Sequence, residues 1–346
     1  MKKFFVTGGA GFIGAAFIHL VLAESSNTQI INFDLLTYAG NLENLAGLPE
    51  KSGSQHVFVK GDICDKTAVL EALPDSCECI VNFAAESHVD RSINSASEFV
   101  RTNVLGTQVL LDAARAKNVR RFLQVSTDEV MGSLPELDET SFFTETSALE
   151  PNSPYAASKA AAEHFVRAAH HTFGLDTVIT RCGNNYGPRQ FPEKLIPLMI
   201  ANALDDVPLP VYGDGKNVRD WIFVDDHCRA VWAVLERGLP GEIYNIGARN
   251  EQFNIDVVKS ILDQLGKPYS LIKFVTDRLG HDRRYAIDPA KIETELGWKP
   301  LETWESGLRK TIGWYLDNQT WVERVRSGAY RAYYQQQYGT EIGTKI

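Results

Sequence analysis

A doubly wound parallel α/β sheet, with a smaller α/β domain interleaved into it, is the fold class this sequence predicts. Three observations predict it. Short β-rich runs alternate with helical stretches through the first half of the chain, as repeated βα units do. The runs are almost continuously apolar, which suits strands covered on both faces. A glycine-rich turn, Gly8 to Gly14, joins the first run to the first helical stretch.

Taken in order, the predicted strands are Lys3–Thr7, Gln29–Asp34, His56–Asp62, Cys79–Ala84, Arg121–Ser126 and Asp176–Arg181. Helices lie between them, among them Ser97–Lys117 and Tyr155–Phe173. Beyond Arg181 the alternation loosens. "NNYGPRQFPEK" and "VPLPVYGDGKN" are rich in Gly, Pro and Asn and read as loops. Short helices are predicted around them, Lys194–Ala203, Asp226–Arg237 and Ile255–Leu265, together with short strands. One of these, "EIYNIG", is expected to return to the main sheet. The division that results is a nucleotide-binding domain over 1–182, with a return segment near 221–248, and a smaller domain over 183–330. A tail over 331–346 is expected to fray at its end.

Composition narrows the function. With 346 residues and 44% hydrophobic content, the chain is long enough for a large core and about two domains. A net charge of −9 argues against a nucleic acid or an anionic membrane as partner, and any anionic ligand then needs a local basic pocket. No apolar run reaches the roughly 20 residues of a membrane span. "MKKFFVTGG" breaks into glycines too early for a signal peptide and reads as a first strand. The five cysteines, Cys64, Cys77, Cys79, Cys182 and Cys228, are odd in number and irregularly spaced. Free thiols in a cytoplasmic protein are expected, and no metal site.

Two motifs carry chemistry. Gly9, Gly11 and Gly14 match G-x-G-x-x-G, with Gly8 ahead of them and Phe12 and Ile13 within. Glycines let the backbone turn sharply and approach a pyrophosphate at a helix N-terminus. Asp34 closes the second strand twenty residues on, where a carboxylate accepts from a ribose 2′-hydroxyl and repels a 2′-phosphate, so NAD is expected over NADP. Asp62, ending the third strand, is placed to reach the adenine. At the reacting end, Tyr155 and Lys159 share a helix face, and a nearby ammonium is expected to lower the tyrosine pKa. Just upstream, "VSTDEV" ends the fifth strand with two adjacent carboxyls, Asp128 and Glu129. An exposed turn would be the plain explanation. The sharper reading is that one gives a proton while the other takes one.

On "GGAGFIG", "FDLLTYAGN", "NFAAESHVDRSI", "STDEV", "SPYAASKA", "RCGNNYGPRQFPEKLIPL", "YGDGKNVRDWIFVDDH" and "GHDRRYAID", the chain resembles the extended short-chain dehydrogenase/reductases with a Rossmann sheet. Within them it resembles the nucleotide-sugar 4,6-dehydratases. The likeness runs from Lys2 to about Leu316. It implies dehydration of a nucleoside-diphosphate glucose, with dTDP-α-D-glucose first, to a 4-keto-6-deoxy sugar nucleotide, NAD being tightly held and regenerated. It assigns Thr127 to the sugar 4-hydroxyl, Tyr155 with Lys159 to its oxidation, Asp128 to protonating the 6-oxygen and Glu129 to removing the C5 proton. It extends the cofactor site to Leu35, Thr37, Ile63, Phe83, Ala84, Ala85, Thr102, Ser126 and Asn185. It gives the nucleotide-sugar site Ser87, Asn184, Lys194, Leu195, Pro210, Tyr212, Arg219, Asn254 and the His281–Tyr285 run. Arg283 and Arg284, with Lys194 and Arg219, are the expected phosphate clamp. Tyr212 is expected to stack on the base, and His88 to be a structural residue.

The chain departs from the family pattern at Met131 (commonly Tyr), Gly183 (Ser), Arg189 (often aromatic) and Leu279 (Pro). Rival readings are a UDP-glucose 4,6-dehydratase, a nucleotide-sugar 4-epimerase or decarboxylase on the same scaffold, and a catalytically silent NAD sensor. Epimerase and decarboxylase need no acids at both 128 and 129, and a sensor has no use for the four catalytic groups. A homodimer is expected through the helices Ser97–Lys117 and Tyr155–Phe173, the second of which is alanine-rich.

Overall fold

In the computed structural model, which describes residues 1–48, 55–136, 138 and 140–327, seven parallel strands form the main sheet. The predicted tail lies outside the described residues. The first half reads β1 (Lys2–Thr7), α1 (Phe12–Glu24), β2 (Thr28–Asp34), β3 (His56–Lys60), α2 (Lys66–Ala72), β4 (Cys77–Asn82) and α3 (Val89–Asn94). Then come α4 (Ser97–Phe99), a π-helical stretch Val100–Leu105, α5 (Gly106–Ala116), β5 (Arg121–Thr127), α6 (Pro154–Phe173) and β6 (Thr177–Cys182).

The second half contributes β7 (Asn184–Tyr186), α7 (Leu195–Leu204), β8 (Leu209–Tyr212), β9 (Val218–Phe223), α8 (Val224–Arg237) and β10 (Ile243–Ile246). It ends with β11 (Glu251–Phe253), α9 (Asn254–Leu265), β12 (Ile272–Val275), α10 (Ala290–Leu296), α11 (Trp304–Asp317) and α12 (Gln319–Val325). The sheet order is β3-β2-β1-β4-β5-β6-β10, so β10, the predicted returning strand, pairs in parallel with β6. The order reverses between β1 and β4, and that crevice, at the carboxyl ends of the strands, is where such sheets bind ligands.

The continuous apolar character of the strands follows from a sheet buried on both faces. Successive side chains point to opposite sides. Phe4, Ile30, Val81, Leu123 and Val178 pack with Phe17 and Val21 of α1 and Val231 of α8. Their neighbours Phe5, Ile31, Ile80, Phe122 and Ile179 pack on the other side with Val69, Leu110 and Val166. A separate aromatic core, Tyr186, Trp221, Phe223, Trp304, Tyr315 and Trp321, holds β7 and β9 against α7, α9 and α11. Each such side chain contributes roughly 1.5–3 kcal/mol by leaving water.

Three predicted elements differ in ways that serve the site. Strands β3 and β4 stop at Lys60 and Asn82, and the residues expected to extend them, Asp62 and Phe83–Ala84, line the crevice instead. The single helix expected over Ser97–Lys117 is interrupted by the π-helical stretch, where the Asn103 side chain bonds the Glu86 N–H and carbonyl (both 2.9 Å) and the Ser158 hydroxyl (2.8 Å). π-Type turns of this kind concentrate at functional sites. Thr102, beside Asn103, faces the groove.

Candidate active site

One groove takes in the carboxyl ends of β1, β2, β4 and β5, the start of α6, and the segment from Cys182 to Lys194. Its first half is glycine-built. Gly8 has φ +69°, and a Cβ there would lie 2.6 Å from the Ala84 nitrogen, so β1 and β4 can meet at the crevice only with glycine. A Cβ on Gly14 would strike the Gly8 carbonyl. Asp34, at the end of β2, accepts from the Ala10 N–H (2.9 Å) and the Leu36 N–H (2.8 Å), which fixes its carboxylate at the groove. The buried Ser126 hydroxyl and Asn185 carbonyl oxygen have no protein partner among the described residues. A bare glycine turn at a helix start, a fixed carboxylate and unpaired buried polar atoms fit a dinucleotide. Every residue expected at the cofactor lines this groove: Gly8, Gly11–Gly14, Asp34, Leu35, Thr37, Asp62, Ile63, Phe83–Ala85, Thr102, Ser126, Tyr155, Lys159 and Asn185.

The second half holds the reacting groups. Ser153 caps α6 by accepting from the Ala156 N–H at 3.1 Å, with Pro154 in the first turn, and this sets Tyr155 and Lys159 into the groove. Lys159 Nζ donates to the Val125 carbonyl at 2.7 Å, and burial lowers its pKa to about 8. The expected depression of Tyr155 by Lys159 is not what the structure gives. Burial, then the charge of Glu129, pushes the phenol well above its ordinary value. Helical spacing puts the two on one face, but the ammonium is engaged by a strand carbonyl.

Thr127 ends β5 and caps the short turn Asp128–Met131, accepting from the Glu129 N–H at 3.3 Å. Its hydroxyl lies 3.2 Å from Asp128 Oδ1 and also within hydrogen-bonding reach of Tyr155. One hydroxyl proton can serve only one of them at a time. Asp128 is 1% exposed, its Oδ2 has no hydrogen-bond partner among the described residues, and burial plus the neighbouring Glu129 charge raises its pKa strongly. Burial also raises Glu129, but Arg278, Arg219 and Lys194 oppose it. The exposed-turn explanation therefore fails, and the two carboxyls sit in different electrostatic surroundings.

The nucleotide-sugar candidates divide. Ser87, Thr127, Asn184 and Lys194 line the groove, with Lys194 Nζ donating to the Ser87 carbonyl at 2.8 Å. Leu195 opens α7, and Pro210 and Tyr212 lie on β8. Arg219 stacks its guanidinium 4.1 Å from the Tyr285 ring centre and donates to the Asp282 carbonyl at 2.9 Å. The Tyr285 hydroxyl donates to Asp282 Oδ2 at 2.6 Å. Asn254 starts α9 with its side-chain oxygen buried and unpaired among the described residues. The Tyr212 hydroxyl donates to Asp90 at 3.2 Å, and its ring meets His281 edge-on. His281 itself pairs with Asp277 at 2.6 Å.

The arginines expected to clamp the phosphates have protein partners. Arg284 is buried and bolts β9's surroundings together, donating to Glu251 (2.8 and 3.1 Å) and to the carbonyls of Asp138 and Ser141 (2.9 Å each). Arg283 is engaged by Asp214 (2.8 and 2.9 Å) and Glu136 (2.9 Å). Arg278, 3.7 Å from Asp90, joins Arg219 and Lys194 in opposing the rise of Glu129. It stands three residues ahead of His281, just outside the run that drew attention to its neighbours. His88 is buried, its Nε2 3.4 Å from the Glu193 carbonyl. Sequence reasoning also missed Tyr38, Glu86, Gln190, Phe191 and Glu193, all on the groove wall. Of the departures, Gly183 has no room for a side chain, since a Cβ would lie 2.7 Å from the Asp220 carbonyl oxygen. Met131 offers its sulfur to Arg181 at 3.5 Å. Leu279 is 76% exposed, away from the chemistry.

Comparison with known proteins agrees with this geometry. The family model described as GDP-mannose 4,6 dehydratase matches residues 5–311. A dTDP-glucose 4,6-dehydratase of Xanthomonas campestris pv. campestris (strain B100) is 54% identical, covering 96% of this chain and 98% of that protein. The crystal structure of DesIV, a dTDP-glucose 4,6-dehydratase from Streptomyces venezuelae with NAD and TYD bound, superposes with TM-score 0.90 at 50% identity, covering 94% of this chain and all of that one. The UDP-glucose 4-epimerase of Thermus thermophilus in complex with NAD reaches 0.83 at 30% identity, over 92% of this chain and all of that one. The shared scaffold thus includes epimerases, but the sequence likeness and the paired carboxyls agree: the chain belongs to the nucleotide-sugar 4,6-dehydratases, and among them to the dTDP-glucose 4,6-dehydratases.

Proposed function

We propose that this chain dehydrates dTDP-α-D-glucose to the 4-keto-6-deoxy sugar nucleotide, with NAD as a resident cofactor regenerated in every cycle. One observation carries the reading: two adjacent carboxyls in one groove, Asp128 with burial and the Glu129 charge outweighing Arg219, and Glu129 opposed by three cations, Arg278, Arg219 and Lys194. A glucose C5 hydrogen is not acidic enough to leave directly. A ketone at C4 makes it so, because the resulting charge spreads into an enolate. When bound, NAD supplies the acceptor for the C4 hydride and its return to C6. The chain does the rest. Asp34 and the glycine turn hold the dinucleotide. Thr127 and Tyr155 hold the 4-hydroxyl, and Lys159, one helical turn on, handles its proton with Tyr155. Glu129, kept closer to ionisation by Lys194, Arg219 and Arg278, takes the C5 proton and gives a proton back to C5 once C6 is reduced. Asp128, kept protonated by burial, gives its proton to the departing O6. An epimerase has no such need for a buried, protonated acid beside the base.

In this reading residues 1–182, with the return segment 221–248, bind the cofactor, and 183–330 bind the nucleotide sugar. The site residues are those expected from the sequence, with Arg278 added as a further cation beside Lys194 and Arg219. No helix among the described residues is long and apolar enough to cross a membrane. Five unpaired thiols fit a cytoplasmic protein. A homodimer fits Val100, Leu105 and Phe165, which are apolar yet about half exposed on the helical face around the π-helical stretch and α6. The test is to incubate purified protein with dTDP-glucose and UDP-glucose separately and weigh the products. Loss of one water from the dTDP sugar is expected. Isomerisation without mass change would give the reaction to an epimerase, and turnover of the uridine sugar alone would reassign the base.

A further inference from the structure

A cofactor restored at the end of each cycle has no reason to leave, so something should confine it. Tyr38 lies on the loop after β2, four residues beyond Asp34, and that loop is tied to the glycine turn by the Asn41 N–H on the Ala10 carbonyl at 3.0 Å. Glu193 lies on the opposite wall, directly before Lys194 and α7. The Tyr38 hydroxyl donates to the Glu193 carboxylate. Arg91 of α3 donates to the same carboxylate from Nε (3.2 Å) and Nη2 (3.0 Å), and its guanidinium carbon sits 3.9 Å from the centre of the Tyr38 ring. Phe191 meets that ring edge-on at 5.7 Å. Glu193 is 7% exposed although it belongs to a loop at a groove, so its burial comes from this contact between walls.

We propose that Tyr38 and Glu193, braced by Arg91, form a strap joining the two walls of the cofactor groove, and that the strap slows NAD release enough to keep one cofactor through many turnovers. The inference rests on the NAD reading above. Neither residue has a part in the chemistry; both act by holding the groove closed.

The experiment loads the full chain with labelled NAD, chases with a large excess of unlabelled NAD, and times the release from wild type, Tyr38→Phe, Glu193→Gln and the double variant. Tyr38→Phe keeps the ring under Arg91 and removes only the hydroxyl. Each single change is expected to speed release about 10- to 100-fold, the range for losing a hydrogen bond to a charged group. Tyr38→Phe should add less on top of Glu193→Gln than it does to wild type, because the glutamine oxygen still accepts from Tyr38 but without the charge, so both changes act on one bond. Wild-type release from a folded Tyr38→Phe protein, checked by its unchanged melting profile without NAD, would overturn the strap. So would effects that simply add. Wild type that neither releases NAD on denaturation nor takes up labelled NAD would instead sink the NAD reading, and the strap with it.

Discussion

Asp128 and Glu129 are neighbours in sequence, yet their surroundings separate them. Asp128 is buried beside Glu129 with one carboxyl oxygen unpaired among the described residues, while Glu129 meets Arg278, Arg219 and Lys194. Asp128→Asn should therefore leave C4 oxidation running, with reduced cofactor accumulating, while product formation falls by about 10²–10⁴-fold. Stopped-flow absorbance against product mass separates the two steps. Full activity in Asp128→Asn, Glu129→Gln would remove both from the mechanism. A second residue is buried for no catalytic reason. His227 is fully enclosed on α8, neither ring nitrogen has a partner among the described residues, and burial lowers its pKa from 6.5 to about 3. Between those values the unfolded chain binds a proton that the folded one refuses. Stability from this group is thus complete above pH 6.5 and is lost on acidification towards pH 3, at up to about 1.4 kcal/mol per pH unit. His227→Phe should flatten the acid limb of denaturant midpoint against pH, and an unchanged slope would refute the assignment.

At the scale of elements, α6 is the piece on which the site depends. Its cap, Ser153, fixes the turn that presents Tyr155, and its inner face is locked to β6 by Glu163 and Arg181, a pair 2.7 Å apart with both side chains 3% exposed. Arg181 also reaches the Glu145 carbonyl and the Met131 sulfur, so it ties the Asp128–Met131 turn to the same helix. Removing one partner of a buried pair strands the other charge. Glu163→Gln is expected to cost about 3–5 kcal/mol in urea unfolding. A cost below about 1 kcal/mol would show that Arg181 finds other partners. The helical resemblance between "SPYAASKA" and its family named the reacting residues correctly as neighbours, but it could not reveal that Lys159 would direct its ammonium to the Val125 carbonyl.

For the whole molecule, the parallel sheet brings residues far apart in the chain to one edge: the glycine turn after β1, Asp34 after β2, the carboxyls after β5. The second lobe then closes the groove with residues 183–194. The apolar surface at Val100, Leu105 and Phe165 belongs to this scale too. Sedimentation at micromolar concentration should give a dimer, and Phe165→Glu should shift it to monomer while the melting profile of each subunit persists. A monomeric wild type would end that proposal.

The sequence by itself determined the sheet, its returning strand, the glycine cradle and the pair of acids, because these rest on local pattern: apolar runs for a doubly covered sheet, glycine where no Cβ fits, an acid at a strand end. It did not determine how the arginines pair. "GHDRRYAID" offers Arg283 and Arg284, and the fold engages both with carboxylates or carbonyls, while Arg278, ahead of that run, lies 3.7 Å from Asp90. Nor did it show Tyr38 meeting Glu193, 155 positions apart in the chain. Side-chain partners are chosen by what the packed backbone brings within about 3 Å, and the electrostatics of a buried group follow from those partners, so only the tertiary structure decided them.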